Sequence, residues 1–243
     1  MSVMLTRMSE AARARKPITS AEPRAGRAFV FALAAFLALT AGGRSSDAAG
    51  CKKSTHKVKT TFKVEKGKLT YSRKLNKAEL YKKHRRVGQD LEVRGLTVAT
   101  PVLSYLIAHR TFRSGGKTCV YPSQVEATVG YKTIEVFVAK EYRKASCQYK
   151  AVLIHEKEHV AAYRKALKKG ASRIKSRLKG FLKKFTPISV AKGEDPTQAI
   201  ADKINAGLEK ALTDYSNEAE DLNAVIDLPK NYRKTEKKCK KWP

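Results

Sequence analysis

Acidic residues are scarce in this chain: 22 Asp and Glu stand against 51 Lys and Arg, a formal net charge of +29 over 243 residues. Such a surface repels itself and attracts polyanions. Long apolar runs are scarcer still. The single one, Ala28 to Ala41, is short of the roughly 20 residues a bilayer span needs, and no second candidate follows it, so no membrane-spanning segment is expected. Cysteine is limited to Cys51, Cys119, Cys147 and Cys239, none at C-x-x-C spacing, which excludes a metal site made of cysteine alone. No internal repeat is present, so a solenoid is excluded too.

What is there begins with an export signal. Arg24 and Arg27 precede the apolar run and the small residues Ala48-Ala49-Gly50 close it, the layout of a secretory signal peptide over residues 1–50. Residues 51–243 then form one domain, placed in the periplasm or outside the cell. Ala48-Ala49-Gly50-Cys51 partly resembles a lipoprotein processing site, but the usual Leu three positions before the Cys is missing and the apolar core ends far upstream. Lipid anchoring at Cys51 is therefore the secondary expectation. For an exported chain, anionic lipids, lipopolysaccharide or cell-wall polymers suit the positive charge better than nucleic acid does; a solvated lysine-rich surface is the alternative. An even cysteine count in an oxidising compartment predicts two disulfides. Of three possible pairings, Cys119 with Cys147 brackets one continuous segment, and Cys51 with Cys239 ties the ends together. That is the expected pattern.

The residue periodicity changes midway along the chain. Alternation through Val58, Thr60, Phe62 and Val64, with a turn at Gly67 and a second run at Leu69-Thr-Tyr-Ser72, predicts a β-hairpin. A short helix is expected over Ala78 to Arg86. Between Leu91 and Val138 lie five short β-rich runs, broken at Arg113-Ser-Gly-Gly and Gly130-Tyr-Lys, so the first half reads as antiparallel sheet. From Cys147 the apolar residues recur at helical spacing through Val152, Tyr163, Leu167, Ile174, Leu178 and Leu182, as one helix or two broken near Gly170. Asp195 then Pro196 predicts a helix start, with a stripe of Ile204, Leu208, Leu212, Tyr215, Ala219, Leu222 and Ile226 behind it. The Lys-rich tail from Arg233 is mobile unless Cys239 holds it. The fold class expected is α+β: an antiparallel sheet, then two or three long helices that carry the site.

That site is His155-Glu156-Lys157-Glu158-His159. One helical turn separates the two histidines, so both imidazoles project from one face and can converge on an ion, expected to be zinc. Glu156, about 100° round the helix, is placed as the general base for water activated by the metal. The chain is expected to be a secreted zinc-dependent hydrolase, acting on peptide or protein substrates. A basic envelope-binding accessory protein with a structural or non-catalytic zinc is the alternative. The metzincin extension is absent, since Val160-Ala-Ala-Tyr-Arg-Lys165 has neither its Gly nor its third His. His56, His84 and His109 show no ligand spacing and read as surface or loop residues. A downstream carboxylate is the better third ligand: Glu218 lies at the edge of the apolar stripe and needs a partner, either a metal or a Lys or Arg. Glu194 and Asp195 come next. Tyr163 and Tyr215 are weak candidates for stabilising an oxyanion and fit packing roles better.

The run Tyr149 to Val160, with Cys147 just before it and Cys119 in a β-rich segment upstream, resembles a group of little-characterised secreted proteobacterial proteins regarded as zinc peptidases. More widely it is similar to the zincin superfamily. The close resemblance covers roughly residues 117–170. Likeness to gluzincins implies a ligand Glu on a following helix, best matched by Asn217-Glu218-Ala219. Against the pattern, Lys157 and Glu158 fill positions that zincins usually leave uncharged.

Overall fold

The computed structural model describes residues 3–5, 51, 57–84 and 93–242. The apolar stretch Ala28 to Ala41, His56 and the first two residues of the run at Leu91 lie outside them. The architecture is α+β, a sheet in the N-terminal half and helices after it. In chain order the elements are β1 (Val3–Leu5), β2 (Lys59–Ser72), α1 (Lys77–His84), β3 (Gly95–Ser114), β4 (Lys117–Val138), α2 (Cys147–Lys183), β5 (Ile188–Val190), α3 (Pro196–Ile226) and α4 (Pro229–Glu236). The sheet runs β1-β3-β4-β2, with β5 added on β4.

Two long strands form the centre. β3 and β4 are an antiparallel hairpin from Gly95↔Val138 to Ser114↔Lys117, turned at Gly115-Gly116 where both φ angles are positive. Four of the five short runs expected between residues 91 and 138 thus merge into two strands, while Val93 and Arg94 of the first run precede β3. Gly130 does not break β4. It lets β2 approach, because a Cβ there would stand 1.9 Å from the Glu65 carbonyl oxygen.

The expected hairpin at Gly67 is not formed. β2 is one strand that passes through Gly67 at φ +81°, its pairing stepping from Lys66↔Tyr131 to Lys68↔Thr133. Val58 and Phe62 before the glycine and Leu69 after it all pack on the core, an even-to-odd change that β2 makes in step with β4, whose register against β3 shifts at the same level, between Thr100 and Pro101. β2 also runs parallel to β4, so the sheet is not wholly antiparallel. The chain leaves β2 through α1, whose start is a reciprocal capping box: Asn76 Oδ1 accepts from the Glu79 amide and Glu79 Oε2 from the Asn76 amide, both at 2.7 Å.

α2 and α3 cover one face of the sheet. α2 is a single helix, because Gly170 is the contact point for α3: a Cβ there would lie 2.4 Å from the Tyr215 ring. The main core joins Val125, Val129, Ile134 and Val136 of β4 to Leu167, Ile174 and Leu178 of α2 and Ile200, Ile204 and Leu208 of α3. At about 25 cal/mol per Å² of apolar surface this interface supplies the main drive for the helices to dock. Asp195 caps α3 as expected, its Oδ1 2.8 Å from the Thr197 amide. A second cluster, Leu80, Phe137, Val138, Tyr142 and Val152, fills the space beneath α1 and the start of α2.

All four cysteines are bonded, with pairings other than those expected: Cys51 with Cys119, and Cys147 with Cys239. Chain order does not fix which cysteines meet. Here α2 begins where the last segment returns, and β4 begins where the chain at Cys51 lies. Cys239 fastens the C-terminal tail, which forms α4 in place of a loose end. The two disulfides point to an oxidising, exported environment. No helix among the described residues is long and apolar enough to cross a membrane.

Candidate metal centre

Ser146 starts α2 by accepting from the Tyr149 amide at 3.1 Å, which fixes the phase of the helix. His155, Glu156 and His159 consequently all turn inward and are 6, 3 and 8 % exposed. Lys157 and Glu158, the two charged residues inside the motif, are exposed. α3 ends at Ile226, and the next residue, Asp227, caps it while pointing its carboxylate at α2.

Three ligand-type atoms meet there. Nε2 of His155 and Nε2 of His159 are 3.3 Å apart, and Asp227 Oδ1 lies 3.4 and 3.1 Å from them. A tetrahedral ion with bonds of about 2.0–2.1 Å holds its ligand atoms about 3.3–3.4 Å apart, so these edges are those of one face of such a site. The His155–His159–Asp227 group can hold a metal ion.

The protonation pattern points the same way. Asn223, one turn before Asp227, donates Nδ2 to the Ala219 carbonyl at 2.6 Å, which leaves its Oδ1 to face His159 Nδ1 at 2.7 Å. His159 Nδ1 must then carry the proton and donate it, so the neutral ring presents a lone pair at Nε2. Two imidazole nitrogens and a carboxylate oxygen within 3.1–3.4 Å repel one another unless a cation lies among them. Without a metal, a proton takes that part. Burial opposes charge on His159, but its bond to Asp227 and the charges of Glu156 and Asp227 prevail and raise its pKa. Burial likewise works against the Asp227 carboxylate, yet the bonds from His155, His159 and Tyr232 hold its pKa far below the usual range.

Around this triad stands a supporting set. Tyr232 of α4 donates its hydroxyl to Asp227 Oδ1 at 2.9 Å, and its ring lies 5.1 Å from that of His155. Glu156 turns to the opposite side, toward β3, where Thr97 Oγ1 donates to its Oε2 at 2.8 Å. Burial pushes the Glu156 carboxyl pKa up, against the pull of His159, His155 and Thr97. Gly95 makes the room. A Cβ there would stand 2.6 Å from Glu156 Oε1 and from Val152.

The expected third ligand is corrected by this geometry. Glu218 is not at the histidines; it bridges α3 to α2, 2.5 Å from Arg173 and 3.3 Å from Lys169, and those cations hold its pKa down. Its place at the stripe's edge is satisfied by Lys and Arg, the other partner open to it. Glu194 accepts from the Ala191 amide, Asp195 caps α3, and neither joins the site. Tyr163 and Tyr215 pack around Tyr131, with ring centroids 5.4 and 6.2 Å from its own. His109 lies in β3 and His84 ends α1.

Asp227 and Asn223 left a faint trace in the sequence. Asn223 is a polar residue four positions after Ala219, inside the apolar stripe, and Asp227 is one turn further on. Both together mark a helix end turned toward a polar centre. Thr97, Gly95 and Tyr232 left none. Comparisons with protein-family models, with curated proteins and with solved structures find no match to this chain.

Proposed function

We propose that this protein is a zinc-dependent hydrolase of the exported compartment, acting on peptide or protein substrates. The observation that carries this reading is the convergence of His155 Nε2, His159 Nε2 and Asp227 Oδ1 on one point, a group with no fourth His, Cys, Asp or Glu among the described residues. Three protein ligands and an open position are the pattern of catalytic zinc, whereas structural sites use four. Two imidazoles and one carboxylate also suit zinc among the common divalent ions.

Zinc bound there would supply a Lewis acid for a carbonyl and for water. The chain's own residues supply the rest. Asn223 holds His159 in the tautomer that faces the centre, and Tyr232 steadies Asp227. Glu156, buried beside both imidazoles and coupled to them by charge while its Oε2 is held by Thr97, is assigned the role of taking a proton from water at the centre. A purely structural site would have no need of such a carboxylate.

The test compares the parent with Glu156→Gln. Both are expected to hold about one zinc per chain, while the variant loses turnover on a broad peptide panel by about 10²–10⁴-fold, the usual contribution of a general base. Undiminished turnover in Glu156→Gln, or full turnover after chelation, would overturn the reading.

A further inference from the structure

α2 is basic on the side away from the core. Lys157, Arg164, Lys165, Lys168, Lys175, Lys179 and Lys183 are all exposed, and none has a carboxylate partner among the described residues. At about 100° per residue they fall within an arc of about 100°, so they form one ridge roughly 39 Å long. Between them stand Ala161, Ser172 and, at the edge of the face, Ser176, all exposed and too small to hold a ligand off the helix. Glu158, near one end, is the only carboxylate on that face. Of the other cations of α2, Lys150 is exposed further upstream on the same face, Lys169 and Arg173 are turned to α3 and paired with Glu218, and Arg177 donates to the Gly207 carbonyl.

We propose that this ridge is a docking track for a linear polyanion with a repeating phosphate, a polymer of the exported compartment. Charge complementarity sets the sign of the partner, and the shape of the ridge sets its form. It is one helix wide. On the side facing α3, beyond Lys169 and Arg173, lies a groove lined by Arg173, Asp214, Glu218 and Asp221, whose carboxylates a flat anionic surface would have to meet. A single chain laid along the ridge avoids them. Insertion into a bilayer is also closed to this helix, because Leu167, Ile174, Leu178 and Leu182 are already buried in the core. The inference is independent of the metal centre, since none of the seven residues touches it.

The test uses the full oxidised protein with long-chain inorganic polyphosphate as the probe. If seven cations engage the chain, affinity falls roughly a thousand-fold between 50 and 200 mM salt, taking the slope of about 0.7 per phosphate contact of a single-stranded polyanion. Removing four cations with Lys168→Gln, Lys175→Gln, Lys179→Gln and Lys183→Gln should cut that fall to about twenty-fold. An equal-charge control, Lys59→Gln, Lys66→Gln, Lys68→Gln and Lys74→Gln, changes four exposed lysines elsewhere and should keep nearly the parent slope. Equal losses in the two variants would show that net charge alone is at work and overturn the proposal. So would tighter ridge-dependent binding of phosphatidylglycerol vesicles or of a single-stranded oligonucleotide than of polyphosphate. Circular dichroism and metal content, unchanged in both variants, separate a binding defect from a folding one.

Discussion

At the scale of single residues, the candidate metal centre separates two acids, Glu218 in α3 and Asp227 at its C-cap, that look alike in sequence. Asp227 shares its Oδ1 with both histidines, whereas Glu218 is held by Arg173 and Lys169. Asp227→Asn removes the only anionic ligand, so zinc affinity measured by competition with a chelating dye should drop by more than 100-fold. Glu218→Gln should leave it unchanged and cost at most about 1 kcal/mol of stability, as partly exposed ion pairs do. The reverse ranking would move the third ligand back to Glu218. The supporting residues should have smaller effects. Asn223→Ala frees the His159 ring and Tyr232→Phe removes the bond to Asp227, so each is expected to weaken zinc about 10–100-fold. Isothermal titration with zinc checks both, and parental affinity in both variants would reduce these contacts to packing.

At the scale of elements, what could be seen in the sequence was what period and spacing carry. The 3.6-residue pattern marked α2 and α3, Asp195-Pro196 marked the start of α3 through a local cap, and His155, Glu156 and His159 were visible because one helix holds all three. Contacts between elements were not visible. Gly67 reads as a turn in isolation, and only the neighbouring β4 shows that it bends a continuous strand. Asp227 lies one residue beyond α3; with Asn223 it marks a polar helix end, but nothing local tells that this end faces His155. Gly170 is a similar case: alone it reads as a weak point in a helix, but it is the place where α3 comes closest. Gly170→Ala would gain up to about 1 kcal/mol of helix propensity if it lay on an open face. Against Tyr215 the added Cβ must displace the ring, so a net loss of about 1–2 kcal/mol is expected. Denaturant unfolding measures it, and a gain in stability would mean that the two helices do not meet as closely as described.

At the scale of the whole molecule, the two disulfides do different work although the chain-entropy effect of each is nearly the same. They close loops of 68 and 92 residues, and in the chain-entropy model each is worth about 4–5 kcal/mol, with little to separate them. Their positions separate them. Cys51–Cys119 ties the chain upstream of β2 to the start of β4, remote in sequence from every candidate ligand. Cys147–Cys239 joins the first residue of α2 to the segment that follows α4, so the two chain stretches that supply His155 and Tyr232 are fastened together. That closure is reinforced by Gln148, which donates to the Lys241 carbonyl, by Arg94 paired with Glu236 and stacked on Trp242, and by Trp242 against Tyr142. Replacing Cys51 and Cys119 with serine should therefore lower stability and leave zinc affinity close to the parent's at a temperature where the variant is folded. Replacing Cys147 and Cys239 with serine should lower stability by a similar amount and also weaken zinc at least ten-fold, because α4 is then free to draw Tyr232 away from Asp227. Zinc titrations of the two variants, each run well below its own melting temperature, provide the comparison. Equal zinc affinity in the two would show that α4 holds its place without the bond, and that Cys147–Cys239 serves stability alone.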